Sequence, residues 1–305
     1  MQDTEQERHS WIKLAALLAF MFLYGALNVM GGDNDLNLNF DNPNVLVFLK
    51  IVQAISVVIL FILPAVLIAL FWTKKKIHYL GITVKPRAAS LLVAGLGIVC
   101  AMPLINWMAD MNQHMHLPGA FSGIEAWMKS SEEKAAELTE AFTKGTSVET
   151  LLLNLFVVAF MAALSEEIFF RGIFQKVAIE CFRNKHAGVW LGAIIFSAFH
   201  MQFFGFFPRM LMGAYLGYLF LWSGSLWPGI VAHFVNNGLA VFLVWLINRG
   251  TISVDVDKVG INESEIIYVV ISAVMVLTSL LLVYRIEKKK LLTIPSREVQ
   301  NPPTF

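Results

Sequence analysis

A chain of 305 residues that is 57% hydrophobic and only 15% charged falls outside the usual mixture of a soluble globular domain. A formal net charge of +1, with no basic domain, argues against a nucleic-acid partner. Two cysteines, Cys100 and Cys181, cannot build a disulfide framework.

Apolar runs fall at about 11–30, 45–72, 88–108, 148–170, 189–204, 210–222, 226–247 and 264–284, and they read as transmembrane helices. The sixth is short unless it begins before Pro208. The first is too long for a signal-peptide core and no small-residue cleavage site follows it, so it is expected to be retained. The expected fold is an all-α membrane protein of about eight transmembrane helices.

Charge orients the bundle. The connection 73–87 carries Lys74, Lys75, Lys76, Lys85 and Arg87 with no acid. The stretch 171–185 sets four basic residues against Glu180, and the tail beyond Tyr284 opens with Arg285 and Lys288 to Lys290. Between them, 31–44 holds three aspartates and neither Lys nor Arg, and 249–263 is mixed. Eight spans with both termini in the cytoplasm put every basic connection inside.

The stretch 109–147 is not apolar enough to span. Ser122-x-x-Glu125 and Ser130-x-x-Glu133 read as capping boxes, and Leu138 and Phe142 share a helical face with Ala135. This predicts an amphipathic helix or hairpin resting on the outer surface, with a substrate-engaging lid as the sharper alternative. The expected organisation is 1–147 for N-terminal spans and outer segment, 148–247 for a catalytic core, and 248–305 for the last span and a basic tail.

The polar residues inside the apolar runs carry the functional signal. Glu166 and Glu167 follow an apolar stretch whose polar members are Asn154 and Ser165, where an ionisable group is expensive unless it has a function. Glu167 and Arg171 stand four apart with the acid first, the spacing of a helical ion pair. Glu166 lies about 100° round the helix and faces Phe169 and Phe170 at the corresponding positions, which leaves it free for chemistry. The fifth run places Phe196 four residues before His200, and the seventh places His233 four before Asn237. Helices four, five and seven thus supply a carboxylate, two imidazoles and an amide that could line one cavity opening to the cytoplasm. Gly213 and Gly217 form a small-x-x-x-small face suited to close packing.

No Ser-His-Asp set or reactive cysteine accompanies these groups, so covalent catalysis is unsupported. Glu166 with His200 can deprotonate a water, and the acid can then protonate a leaving amine. His233 and Asn237 can donate to an oxyanion. The preferred reading needs no cofactor. The rival use is a divalent metal such as zinc, held by Glu166, His200 and His233 with an open position for water.

In this order, Glu166-Glu167-x-x-x-Arg171 with Gly172, Phe196-x-x-x-His200 and His233-x-x-x-Asn237 resemble the motifs of the CAAX-protease and bacteriocin-processing (CPBP) intramembrane endopeptidases. That group includes the type II CAAX prenyl endopeptidases and the Abi-type proteins. The resemblance implies a helical membrane endopeptidase with an inward-facing site, Glu166 and His200 as its water-activating pair and His233 with Asn237 as its oxyanion pair. It implies supporting roles for Glu167 and Arg171, and leaves metal-dependent and glutamate-dependent mechanisms both open. The expected partners are the bilayer and a peptide or membrane-protein substrate, either a lipidated C-terminus or a leader peptide. Against this stand a transporter or proton relay, and an immunity or scaffold protein, built on the same polar cluster.

Overall fold

The computed structural model describes residues 10–23, 42–74, 76–253 and 258–293. The acidic connection 31–41, the end of the first apolar run and the tail beyond 293 lie outside the described residues. Within them the fold is entirely helical. The helices are α1 (Ser10–Leu23), α2 (Asn44–Trp72), α3 (Ala88–Cys100), α4 (Met102–Gln113) and α5 (Ser122–Thr143). They continue with α6 (Val148–Phe182), α7 (Lys185–Phe199), α8 (Phe206–Ser223), α9 (Trp227–Asn248) and α10 (Ile266–Thr293). Five helices are long and apolar enough to cross a membrane, and the α3–α4 pair, bent by 45°, makes up to six. The protein is therefore an integral membrane protein by length and composition.

Local sequence explains most breaks. Pro103, just inside α4, lacks the donor that would continue α3, so the helix turns there. Pro64 follows a π turn at Val58–Ile62 inside α2, where the missing N–H forces the ladder to readjust. Pro208 lies in the first turn of α8, so the sixth apolar run does begin before it, at Phe206. Pro228 holds the same kind of position at the start of α9.

Two expected boundaries are corrected. The fourth span does not stop near Phe170 but runs on to Phe182, with π turns at Leu155–Met161 and Phe170–Phe174. Arg171 and Lys176 are consequently buried helix residues and not part of a basic connection. Arg171 is held by Glu167 and by the Gly213 carbonyl, and Lys176 donates to the Tyr79 carbonyl. The fifth span, expected to reach 204, ends at Phe199, and His200 caps it.

Two faces can be told apart by their hydrogen bonds. On one, Leu226 N–H donates to the Gly81 carbonyl, Ser225 Oγ to Val84 and Trp227 Nε1 to Ile82, while Arg87 N–H reaches Glu287. This face carries the basic connections. On the other, Asn112 bridges the Phe203 carbonyl and the Phe207 N–H, and Asn248 and Trp245 donate to the Thr143 and Ser147 carbonyls. Here α5 lies across the bundle, tied by Glu132 to the Phe204 N–H and by Trp127 against Phe203, with ring centroids 5.3 Å apart.

The expected capping boxes are not formed as such. Ser130 is inside one continuous helix, and Glu125 instead accepts from His116 Nδ1 at 3.0 Å, from the Leu117 N–H at 3.1 Å and from Lys129 at 3.0 Å. These bonds fold 116–117 back onto the start of α5, and they hold the Glu125 carboxyl at about 2, with His116 the largest cause.

Candidate active site

An aromatic wedge sets the site into the bundle. Phe61 of α2, Phe169 and Phe170 of α6, and Phe196 and Phe199 of α7 pack mostly edge to face, with centroid separations between 5.2 and 6.0 Å. Each such pair contributes about 0.5–1.5 kcal/mol beyond area burial. Fixed rings next to α6 leave its carboxylates little freedom.

Glu167 is fully buried. Its Oε1 accepts from Arg171 Nη1 at 2.7 Å and from His233 Nδ1 at 3.1 Å. Arg171 lies over the Phe196 ring at 4.5 Å and sends Nη2 to the Gly213 carbonyl at 2.9 Å. The Gly213–Gly217 face therefore offers acceptors as well as close packing, since Gln175 donates to the Gly217 carbonyl in the same way. Gly229 presses on the pair from α9, where an added Cβ would come within 2.9 Å of Glu167 Oε2.

Glu166 turns away from this network. Its Oε2 is buried and has no hydrogen-bond partner. Two imidazole nitrogens approach it, His200 Nε2 at 3.7 Å and His233 Nε2 at 3.8 Å. The far side of each ring is occupied: His200 Nδ1 bonds the Phe196 carbonyl at 2.8 Å, and His233 Nδ1 bonds Glu167. A carbonyl or an ionised carboxylate only accepts, so each Nδ1 carries the proton. In the neutral tautomer both Nε2 atoms then present lone pairs toward Glu166.

Three acceptors thus face one another without a donor between them. Zinc accepts such donor types, with anchored imidazoles behind them. As they stand, however, no three His, Cys, Asp or Glu side chains among the described residues are spaced to hold a metal ion.

Asn237 does not join this convergence through any direct contact. Its Nδ2 points to the Val158 carbonyl at 3.5 Å and its Oδ1 accepts from Asn236. Asn236 is thereby coupled to it, at 3.1 Å.

The carboxylate opens on a cavity of about 570 Å³. Glu166, His200 and Val158 form one wall, Gln53, Val57 and Phe61 a second, and α5 contributes Ala135, Leu138 and Phe142 as a roof. The outer segment therefore covers the site instead of resting apart from it. α5, the roof, belongs to the face opposite the basic connections. Glu166 also lies mid-helix, not near the end of α6, because α6 continues past it.

Sequence reasoning missed the Glu167–His233 bond, the Gly213 and Val158 carbonyls and the walls from α2. Backbone acceptors leave no side-chain signal. The face shared by Ala135, Leu138 and Phe142 was the only available hint of the roof.

Residues 148–239 match the family model of type II CAAX prenyl endopeptidase Rce1-like proteins. The segment that carries this site is similar to that family. The match includes every group described around Glu166, while the walls from α2 and α5 fall outside it. Uncharacterized protein YpbD of Bacillus subtilis (strain 168) is 28% identical over 98 residues, which are 31% of this chain and 44% of that protein. No solved structure matches the chain.

Proposed function

We propose that the protein is an intramembrane endopeptidase in which Glu166 and His200 activate water against a peptide carbonyl. The observation that carries this is the approach of two anchored imidazoles to the unpartnered Oε2 of Glu166, at 3.7 and 3.8 Å, on the wall of a covered cavity. A water can donate one hydrogen to Glu166 Oε2 and the other to His200 Nε2, which fills both empty acceptors. As its oxygen adds to the carbonyl carbon, Glu166 takes the proton and then delivers it to the departing amine.

His233, held at Nδ1 by Glu167, would donate to the oxyanion from Nε2 once that nitrogen carries a proton. Asn237 has a second amide hydrogen for the same oxygen. Glu167 and Arg171 hold the His233 ring and do not touch the reacting atoms.

Zinc on Glu166, His200 and His233 would supply a water of lowered pKa. That use requires the three side chains to draw closer than they stand, which makes the metal-free version our reading.

The finer architecture belongs to the same proposal: eight spans, with α1 and α7 among them, a core at 148–247, and termini on the basic, cytoplasmic face of a bacterial membrane. The cavity then opens toward the opposite face, against the inward site that the family resemblance implied. The substrate is a peptide or membrane-protein segment, a lipidated C-terminus or a leader peptide.

The test is hydrolysis of peptide libraries by purified protein in nanodiscs, before and after zinc chelation. Turnover that persists in Glu166→Ala rules out the role given to Glu166. Turnover lost on chelation and restored by stoichiometric zinc replaces the metal-free mechanism.

A further inference from the structure

Gln202 stands just beyond His200 on the wall of the catalytic cavity, and the chemistry above gives it no task. The backbone between the two is held in an uncommon form. His200 caps α7, and Met201 then takes φ = 55°, a left-handed conformation that a residue with a Cβ seldom adopts. Strain of this kind persists only where the surroundings enforce it, and it clusters at functional sites.

Arg209, in the first turn of α8, supplies the enforcement. Its Nη1 donates to the Gln202 main-chain carbonyl at 3.1 Å, and its Nη2 to the Gln202 side-chain Oε1 at 2.7 Å. Gly205 leaves room for this fork, since an added Cβ would meet Nη2 at 3.1 Å. A guanidinium carries donors only, so the carboxamide must turn its oxygen to Arg209 and its NH2 away. Arg209 does not line the cavity and Gln202 does, which leaves the NH2 as the end that faces it. Among the described residues that NH2 meets no acceptor. The hydroxyls of Thr139 and Thr143, on the roof, donate back to carbonyls of α5 itself. Gln202 therefore offers the cavity a donor of fixed direction, beside a carboxylate and an imidazole nitrogen that present lone pairs.

A peptide that enters such a cavity loses water from its main-chain carbonyls, and each then needs a donor. We infer that Gln202 is a substrate-positioning residue whose NH2 binds a main-chain carbonyl next to the scissile one, with Arg209 orienting it. This contact fixes the register of the peptide against Glu166 and His200 without reading side chains. The inference rests on the endopeptidase reading and adds to it the point at which the backbone is gripped. Gln202 plays no part in moving protons.

The experiment uses the full chain in nanodiscs and one peptide that wild type cleaves, taken from a randomised library. A series of that peptide carries a single thioamide at each carbonyl around the scissile bond in turn, sulfur being the weaker acceptor. With wild type, one position beside the scissile bond is expected to raise KM roughly two- to tenfold, the scale of one neutral hydrogen bond, with kcat held. Gln202→Met should raise KM by a similar factor on the unmodified peptide and abolish the thioamide effect, because both changes remove the same bond. Gln202→Glu keeps an oxygen for Arg209 but turns an acceptor to the cavity, so it should act at least as strongly. Arg209→Lys does not reproduce the fork and should raise KM alone, yet add nothing when Gln202→Met is present. An added loss there overturns the part given to Arg209. A fall in kcat with KM unchanged overturns the positioning role and assigns Gln202 to the oxyanion. Unchanged kinetics in both Gln202 variants, or a thioamide effect that survives them, overturns it while leaving the peptidase intact. Cleavage of no library member overturns the endopeptidase reading and this one together. If Gln202→Met fails to fold, Gln202→Glu, which keeps both ties to Arg209, decides.

Discussion

On one side of α6 the Glu167 carboxylate is held through Oε1 by a guanidinium at 2.7 Å and an imidazole at 3.1 Å, with Phe196 against the guanidinium, while its Oε2 is buried without a hydrogen bond. One residue earlier, the Glu166 carboxylate meets two imidazole nitrogens at 3.7 and 3.8 Å, a cavity, and no hydrogen bond to its Oε2. The 100° step between consecutive helical residues is enough to place one acid in packed interior and the other on a cavity wall. On the proposed reading, the first region serves stability and the second reactivity. His233 joins them, because its Nδ1 is held in one and its Nε2 faces the other.

The largest effect that would break this comparison is on rate. Glu166→Ala is expected to lower peptide hydrolysis by about 10²–10⁴-fold, the usual contribution of a positioned acid–base group. It should leave the unfolding midpoint in detergent close to that of wild type, since Glu166 Oε2 has no bond to lose. A large drop in midpoint would mean that Glu166, too, is structural.

Glu167 and Arg171 should behave in the opposite way. Arg171→Met strands a buried carboxylate and is expected to destabilise by about 3–5 kcal/mol. Arg171→Lys recovers little, because one ammonium does not reproduce a fork shared between Glu167 and the Gly213 carbonyl. The double variant Arg171→Met with Glu167→Leu removes both charges and should regain most of the stability. Activity should stay low, since His233 has lost the bond that orients its ring. Thermal unfolding and turnover measured on the same preparations separate the two effects. Recovery of both together would refute the link through His233.

The third prediction concerns which face the cavity meets. Single cysteines replacing Ser131 on the roof and Lys74 on the basic connection should react with impermeant maleimide from opposite sides of a sealed vesicle. Labelling of both from one side would overturn the two-face arrangement. Labelling of position 131 from the cytoplasmic side, with 74 outside, would restore the inward-facing site and reverse the charge-based orientation.

Particular residues show why some of this could be read from the sequence. Glu167 and Arg171 are local, four apart on one helix, and helical spacing alone predicts their bond. The gathering of Glu166, His200 and His233 was suggested by residue type and by family motifs, because few other reasons put such groups in apolar runs. Their separation of four ångströms or less depends on how α6, α7 and α9 pack, which no spacing rule contains. The continuation of α6 to Phe182 was hidden because Arg171 and Lys176 look like the residues of a cytoplasmic connection. Only the packed structure supplies Gly213 and Tyr79 carbonyls that let them be buried. The roof was hidden for a related reason. An amphipathic helix with Leu138 and Phe142 on one face has the same pattern whether that face meets lipid headgroups or a cavity.

The smallest expected effect lies in that roof, and it sharpens the contrast from a third carboxylate. Glu125 lies in the segment before α6, its side chain about as exposed as that of Glu166 (15% against 12%), and His116, Lys129 and the Leu117 N–H hold its carboxyl at about 2, against an ordinary 4.5. A carboxyl depressed in the folded state contributes stability above its unfolded value and loses it as pH falls through the folded one. The tie between 116–117 and the start of α5 should therefore be intact at neutral pH and weaken only as pH falls from about 4.5 toward 2. Hydrogen exchange of the Leu117 amide across that window reports the release directly. Solvent screening keeps the effect on global stability small, as for other exposed ion pairs. Faster exchange at 117 with unchanged exchange in α6 would show the roof opening as a unit separate from the packed Glu167 region. Simultaneous release of both would mean that the cavity and the packed interior are one cooperative structure, and the division drawn between the two adjacent acids would be local chemistry alone.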